Sequence, residues 1–562
     1  METRIKTMAE VFDGKDILEV PFYQREYVWS EDEYKRFLDD MEYVTESNQT
    51  YFLGSIIFKK NKHKRTIIDG QQRLTTWCIF AKAYSLKSGD NLAKKYLMRN
   101  AIYPVINHSK SDTAAFKKIL LHKKVEKIDN PQNNKLYNAF NYFVDELSIK
   151  KINFKALQKN LFFVCLNLDE GEDEQQIFDT INSLGVRLTI SDMLKNYLFS
   201  EKNIKSYEEN WAQIFESDDE TRQYWKSTIS AGSKSRTMMD LFFDAYLQVL
   251  IQDKKYKVKA SDKKVYSRVN HLFKSYQSFV RNYLNNDRDL LIEEMADYAQ
   301  CFKDTFKPDC CKETWTKNDE LSRLNVVIFG LDTTTLIPYV LFLRKYINEN
   351  RRFMRMCATL ESFIMRRMVV GGDTKNYNRF FTSLILKKID DVYTLRDEIK
   401  EVSNTTMSVP DNEQLLEGFL NSKLTNKQTK GILFLIESGL RPANSTVLLR
   451  GIDEYSLEHL MPKKWINNWN KPRGHDAIME RDRIILTLGN LAIIPQKLNS
   501  SISDSSWKRK LRGSDNQPGL KECASGLFTM KNVINKTSWN ETNIKQRAKW
   551  LHKHAVDVWK KL

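Results

Sequence analysis

Thr66-Ile67-Ile68-Asp69-Gly70-Gln71-Gln72-Arg73-Leu74-Thr75-Thr76 reads as a strand that stops at an Asp-Gly turn and passes directly into a helix. A strand-to-helix junction of this kind leaves backbone N–H groups free at the start of the helix. Those groups, with Arg73 beside them, suit an anionic phosphate. Gly70 lets the backbone approach a ligand, and Asp69 could hold a metal-bound water or a ribose hydroxyl. The plain alternative is a structural turn with a surface arginine.

Around this junction the first ninety residues alternate short strands with helices. Residues 17–20 and 51–58 are β-rich, and Gly54-Ser55 would offer a small polar contact on the second of these strands. Tyr34, Phe37, Leu38 and Met41 fall at helical spacing over 31–43, with Ser30 as N-cap and Glu33 completing a capping box. A second polar cluster, Val20-Pro21-Phe22-Tyr23-Gln24-Arg25-Glu26-Tyr27-Val28-Trp29, precedes that helix. From 74–83 onward the pattern stays helical to about residue 440, apart from one buried strand at 162–166. Only 19 Gly and 11 Pro in 562 residues agree with long helices. Residues 205–435 carry aromatic and Lys/Glu residues at helical spacing and no chemistry of their own. Beyond 440, Pro, Gly, Asn and Trp rise, and 484–487 and 491–494 read as strands between loops. The expected fold is mainly α with α/β parts, in three regions: 1–204, 205–440 and 441–562.

Charge points to a partner. There are 89 Lys+Arg against 72 Asp+Glu, an excess of +17. From Arg441 to the end, 22 basic against 11 acidic residues place +11 of it in the last 122 positions. That excess suits a phosphate backbone, although a solvated basic face would look the same. The seven cysteines (78, 165, 301, 310, 311, 357 and 523) form no CxxC pair and no zinc spacing, as expected of free thiols in a reducing cytoplasm. No apolar run reaches the ~20 residues that span a bilayer, so no membrane partner is expected. Nothing in the composition separates a monomer from a homodimer.

The sharpest chemistry lies in Tyr455-Ser456-Leu457-Glu458-His459-Leu460-Met461-Pro462, followed by Leu488-Gly489-Asn490-Leu491 and Leu498-Asn499-Ser500. The order His, Asn, Asn, with the last two nine apart, resembles that of a ββα-metal (HNH-type) nuclease. Phosphodiester hydrolysis needs a base for water, which a neutral His supplies, and a divalent ion that prefers oxygen ligands. His459 is then the catalytic base and Asn490 the residue that holds the hairpin and orients it. Asn499 is the ligand for Mg²⁺ or Mn²⁺, and Glu458 the second choice. The segment Trp507-Lys508-Arg509-Lys510-Leu511-Arg512 supplies basic charge beside an aromatic, for backbone contact. The bland alternative makes Trp507 core and the lysines its solvated neighbours.

The strings PFYQREYVW, YFLGSIIF and IIDGQQRLTTW resemble the amino-terminal ParB-like α/β domain of the GmrSD family of modification-dependent restriction enzymes. Residues 174–188, with Ser191-Asp192-Met193-Leu194-Lys195-Asn196 after them, are similar to a further motif of that family. In this sequence Leu184 stands where many relatives have Arg. Asn-Ser-Leu-Gly is also a good helix stop and Ser191 a good cap, so the segment could serve only to shape the pocket. EHLMP, LGNLAII and LNSSISDSSWKRK resemble the family's carboxy-terminal nuclease domain, with Asp504 near a usual Asn and Trp507 in place of Phe. The resemblance implies a nucleotide pocket for GTP or ATP lined by Gln24, Arg25, Asp69, Gly70, Gln71, Gln72 and Arg73. It also implies an anti-phage DNA endonuclease that senses DNA modification. Two other readings stay open. One is a nucleotide-driven DNA-binding sensor with a vestigial nuclease site. The other is an NTPase whose basic tail only targets DNA.

Overall fold

In the computed structural model, residues 2–13, 16–21, 24–61, 64–99, 102–108, 110–131, 133–168, 189–199, 204–231, 234–268, 271–315, 318–402, 407–442, 448–496, 504–514 and 517–562 are described. The chain is mainly helical and divides into two units, Met1–Glu209 and Asn210–Leu562. The division expected at 204 lies near the boundary between these units. The one expected at 440 lies within the second unit.

Six strands form the sheet of the first unit: β1 (Glu2–Thr7), β2 (Ile17–Glu19), β3 (Tyr51–Asn61), β4 (Lys64–Asp69), β5 (Ile106–Asn107) and β6 (Leu161–Leu168). Their order is β1-β6-β3-β4-β2-β5. The β3/β4 hairpin is antiparallel, whereas β3 runs parallel to β6 with a register shift between Phe52 and Gly54. Helix α1 (Glu31–Ser47) starts at Ser30, whose backbone N–H and hydroxyl both donate to Glu33 Oε2 (2.7 and 2.6 Å), as the capping box predicts. Helix α2 (Gln71–Ser88) follows β4 with only Gly70 between them. Trp77, Phe80 and Tyr84 of α2 stack with Phe154, closing an aromatic core on the sheet.

The second unit is a helical body carrying a two-stranded antiparallel hairpin, β7 (Tyr455–His459) with β8 (Leu491–Pro495). Residues before and after 440 share one buried polar network. On α4 (Asn350–Val369), Glu361 accepts from Trp559 Nε1 at 2.9 Å, and Arg366 Nη1 donates to the Trp559 carbonyl at 2.7 Å. On α5 (Asn426–Leu440), the fully buried Glu437 accepts from the Phe528 and Thr529 N–H groups at 3.0 and 2.8 Å. These bonds tie residues 528–529 and 559 to helices α4 and α5.

Two local expectations are corrected. Residues 484–487 are not a strand: a helix covers His475–Ile484, and Thr487 then closes a turn through N–H and hydroxyl bonds to the Ile484 carbonyl (3.0 and 2.7 Å). A four-residue apolar run suits a buried helix end as well as a strand, and packing decided it. Helix α3 (Ile190–Leu198) is capped by Thr189 rather than Ser191, through a capping box with Asp192. Residues 174–188 lie outside the described part. None of the seven cysteines is in a disulfide. Among the described residues, no helix is long and apolar enough to cross a membrane.

Candidate functional site

In the first unit the two polar clusters meet. The Gln24 side chain donates to the Ile68 carbonyl at 3.0 Å, Gln71 to the Arg25 carbonyl at 3.2 Å and Gln72 to the Glu26 carbonyl at 3.2 Å. Gln72 Oε1 also accepts from the Val28 N–H at 2.9 Å. These three amides spend their hydrogen bonds on backbone and so form the floor of the site. Gly70 has φ +101°, and among the described residues no side chain caps the start of α2. Its first-turn N–H groups therefore remain as the sequence predicts. Arg73 spans the junction, donating to Asp69 Oδ2 and to the Leu53 carbonyl, both at 3.3 Å. Gly54 makes this possible: a Cβ at that position would stand 1.7 Å from Arg73 Nη1, and φ there is +126°. Burial lowers the Arg25 pKa, opposed by Asp192 and Asp69. Two guanidiniums and two carboxylates thus converge, and Asp192 joins the group from α3.

In the second unit, His459 ends β7 at the side of a cleft of about 680 Å³ lined by Glu458, Lys463, Lys464, Gln496, Asp504 and Lys510, among others. Burial, with Lys463 and Lys510 nearby, pushes its pKa down to about 4, so the imidazole is neutral at physiological pH. Asn490 is fully buried and saturated: Oδ1 accepts from the Met461 N–H (2.8 Å) and Trp539 Nε1 (3.0 Å), while Nδ2 donates to the Met461 and Ile485 carbonyls (2.8 and 2.9 Å). It holds the chain that leaves His459 through both backbone groups of Met461. Gly489 brings that loop against α7 (Glu541–Val558), where a Cβ would lie 2.3 Å from the Ile544 carbonyl oxygen.

Two cations, Lys510 and Arg547, are buried, which the sequence reading did not foresee. Lys510, on α6 (Trp507–Arg512), has no exposed surface; it pairs with Glu458 and donates to the His459 carbonyl at 2.8 Å. Burial pushes the Glu458 carboxyl up and the Lys510 ammonium down, and their mutual attraction opposes both. Arg547 gathers the carbonyls of Leu488, Gly489 and Leu491 on Nη1 (3.2, 3.1 and 2.7 Å), and burial lowers its pKa to about 9. The expectation that Lys510 supplies basic charge for backbone contact is corrected: it is turned inward to Glu458. Trp507 itself is core, stacked on Trp539 at 5.3 Å, which leaves Lys508, Arg509 and Arg512 as the exposed basic residues of that helix.

As a divalent-ion site, the cleft combines an imidazole with oxygen donors on Asp504 and Gln496, a set a hard cation accepts. The Glu458 carboxylate is engaged by Lys510, and Asn499 lies outside the described residues. Among the described residues, no group of three His, Cys, Asp or Glu side chains converges for a metal.

A model of the GmrSD restriction endonuclease N-terminal domain matches residues 8–199, and a model of the C-terminal domain matches residues 409–554. The second match begins before residue 440 and takes in α5, in keeping with the shared network around Glu437. No curated protein matches the chain. With both domains present in order and covering more than half its length, the chain belongs to the GmrSD-type restriction endonuclease family.

Proposed function

We propose that this chain cuts or nicks DNA at the cleft around His459, in the manner of an HNH-type nuclease, and that nucleotide bound by the first unit controls the cut. The observation that carries this reading is the convergence on one cleft of a neutral imidazole and the Glu458–Lys510 pair, with the buried Asn490 holding the backbone that leaves the imidazole. His459 takes the proton of the attacking water. A phosphate entering the cleft offsets Lys463 and Lys510, which hold the His459 pKa down, and so strengthens it as a base. Asp504 and Asn499 would hold Mg²⁺ or Mn²⁺. When bound, the ion neutralises charge on the scissile phosphate.

In the first unit Arg25, Arg73 and the uncapped start of α2 are the phosphate-binding groups for GTP or ATP, and Asp69 is the partner that fixes Arg73. Nucleotide or DNA modification regulates cleavage only if each binds one arrangement of the two units better than another. The test is cleavage of modified and unmodified phage DNA with and without GTP or ATP, in wild type, Arg73→Ala and His459→Ala. Cleavage lost in His459→Ala, and nucleotide dependence lost in Arg73→Ala, is the expected pattern. Cleavage indifferent to nucleotide and modification alike contradicts the coupling.

A further inference from the structure

The cleft at His459 does not end at the nuclease residues. A second cavity of about 520 Å³ adjoins it, sharing Asn426, Ser456, Leu457 and Gln496 with the first. Together they form a groove that follows β7 from His459 back to Tyr455 and is walled there by Asn426, Lys427 and Lys430 of α5. We infer that this groove is the track for one backbone strand of duplex DNA, with Lys463 and Lys464 at its His459 end and Lys427 and Lys430 of α5 at the other. The inference rests on the nuclease reading of the same site and adds the path of the substrate beyond it.

Length, charge and exchangeability support the assignment. The four steps between the five residues of the strand cover about 13 Å at roughly 3.3 Å per step, the axial length of about four nucleotides of one strand. Cations stand at both ends of the groove, so a backbone passing His459 meets ammonium groups on either side of the cut. Lys427 and Lys430 stand in partly exposed ion pairs. Lys427 contacts Asp332, and Lys430, its side chain 23% exposed, stands 3.9 Å from the 54% exposed Asp453. The long Lys430–Asp453 pair, open to water on its carboxylate side, contributes little, so a phosphate can replace the carboxylate there. Thr425 already caps α5, which leaves the lysine side chains rather than the helix end as the phosphate contacts.

The test is binding of a fluorescent DNA duplex by the full chain in EDTA, across a salt series, by anisotropy. Each lost phosphate contact lowers the slope of log K against log salt by about 0.9, so Lys427→Gln with Lys430→Gln lowers it by about 1.8 and weakens binding severalfold at moderate salt. Asp453→Asn, which frees Lys430, tightens binding. Lys400→Gln, an exposed lysine outside the groove, leaves the slope alone. An unchanged slope in the double variant, with wild type binding DNA normally, overturns the track and spares the nuclease reading. A wild-type chain that binds no duplex overturns both.

Discussion

Lys510 Nζ donates to the backbone carbonyl of His459 at 2.8 Å while its charge is balanced by the neighbouring Glu458. The ammonium is wholly buried, so it acts on the backbone beside the base as a brace. Lys510→Met therefore leaves the Glu458 carboxylate buried and unpaired, and cleavage falls at least tenfold. Lys510→Met with Glu458→Gln removes both charges and recovers part of the loss. Steady-state kinetics of the single and double variants check this, and a double variant no better than Lys510→Met would show that Glu458 has a further role of its own.

Asn490→Ala removes the partner of one N–H and two carbonyls of the backbone and of the Trp539 indole. With each buried unpaired group costing about 1–3 kcal/mol and some relaxation, the second unit loses about 2–4 kcal/mol of stability. Urea unfolding followed by tryptophan fluorescence measures it. Asn490→Asp retains both acceptor bonds but sets a carboxylate against the Met461 and Ile485 carbonyls, so it does not restore the wild-type midpoint.

Gly54→Ala forces a methyl group into the Arg73 guanidinium and strains a backbone at φ +126°. Nucleotide affinity, read by isothermal calorimetry, falls at least tenfold, while metal-dependent nicking in the absence of nucleotide persists. Unchanged affinity would remove Arg73 from the phosphate site.

His108 gives the first unit a pH dependence. Its ring lies edge-on to Phe116 at 4.4 Å, beside the Thr75 hydroxyl, and Nδ1 is buried with no hydrogen-bond partner among the described residues. Burial lowers its pKa to about 3, so the unfolded chain takes up a proton near pH 6.5 that the folded chain refuses. Its contribution is whole above pH 6.5 and falls as the pH drops toward 3, by about 2 kcal/mol at pH 5. His108→Phe flattens the acid limb of the unfolding curve over that window.

The elements read correctly from sequence are those whose determinants are local. Ser30 with Glu33 announces a helix start, and Asp69-Gly70 announces the strand-to-helix junction, because capping and positive φ involve only near neighbours. The family motifs singled out His459 and Asn490, and hydrogen bonds tie the buried Asn to Met461 in the chain after the His. Tertiary context decided the rest. Lys510 sits in a run of basic residues that reads as solvated surface, and only the fold turns it inward to Glu458. The run 484–487 has strand composition, yet a helix end uses its apolar side chains equally well. Gln71 and Gln72 look like ligand-binding groups until the backbone they hold is in view.

The most direct measurement is nicking of supercoiled plasmid by the purified chain with Mg²⁺ or Mn²⁺, wild type beside His459→Ala, with folding of both verified by circular dichroism. The account predicts open-circular or linear product from wild type and none from the variant, and no product from either in EDTA. Equal cleavage by the two proteins would contradict the assignment of the cleft at His459 as the site where the phosphodiester bond is broken.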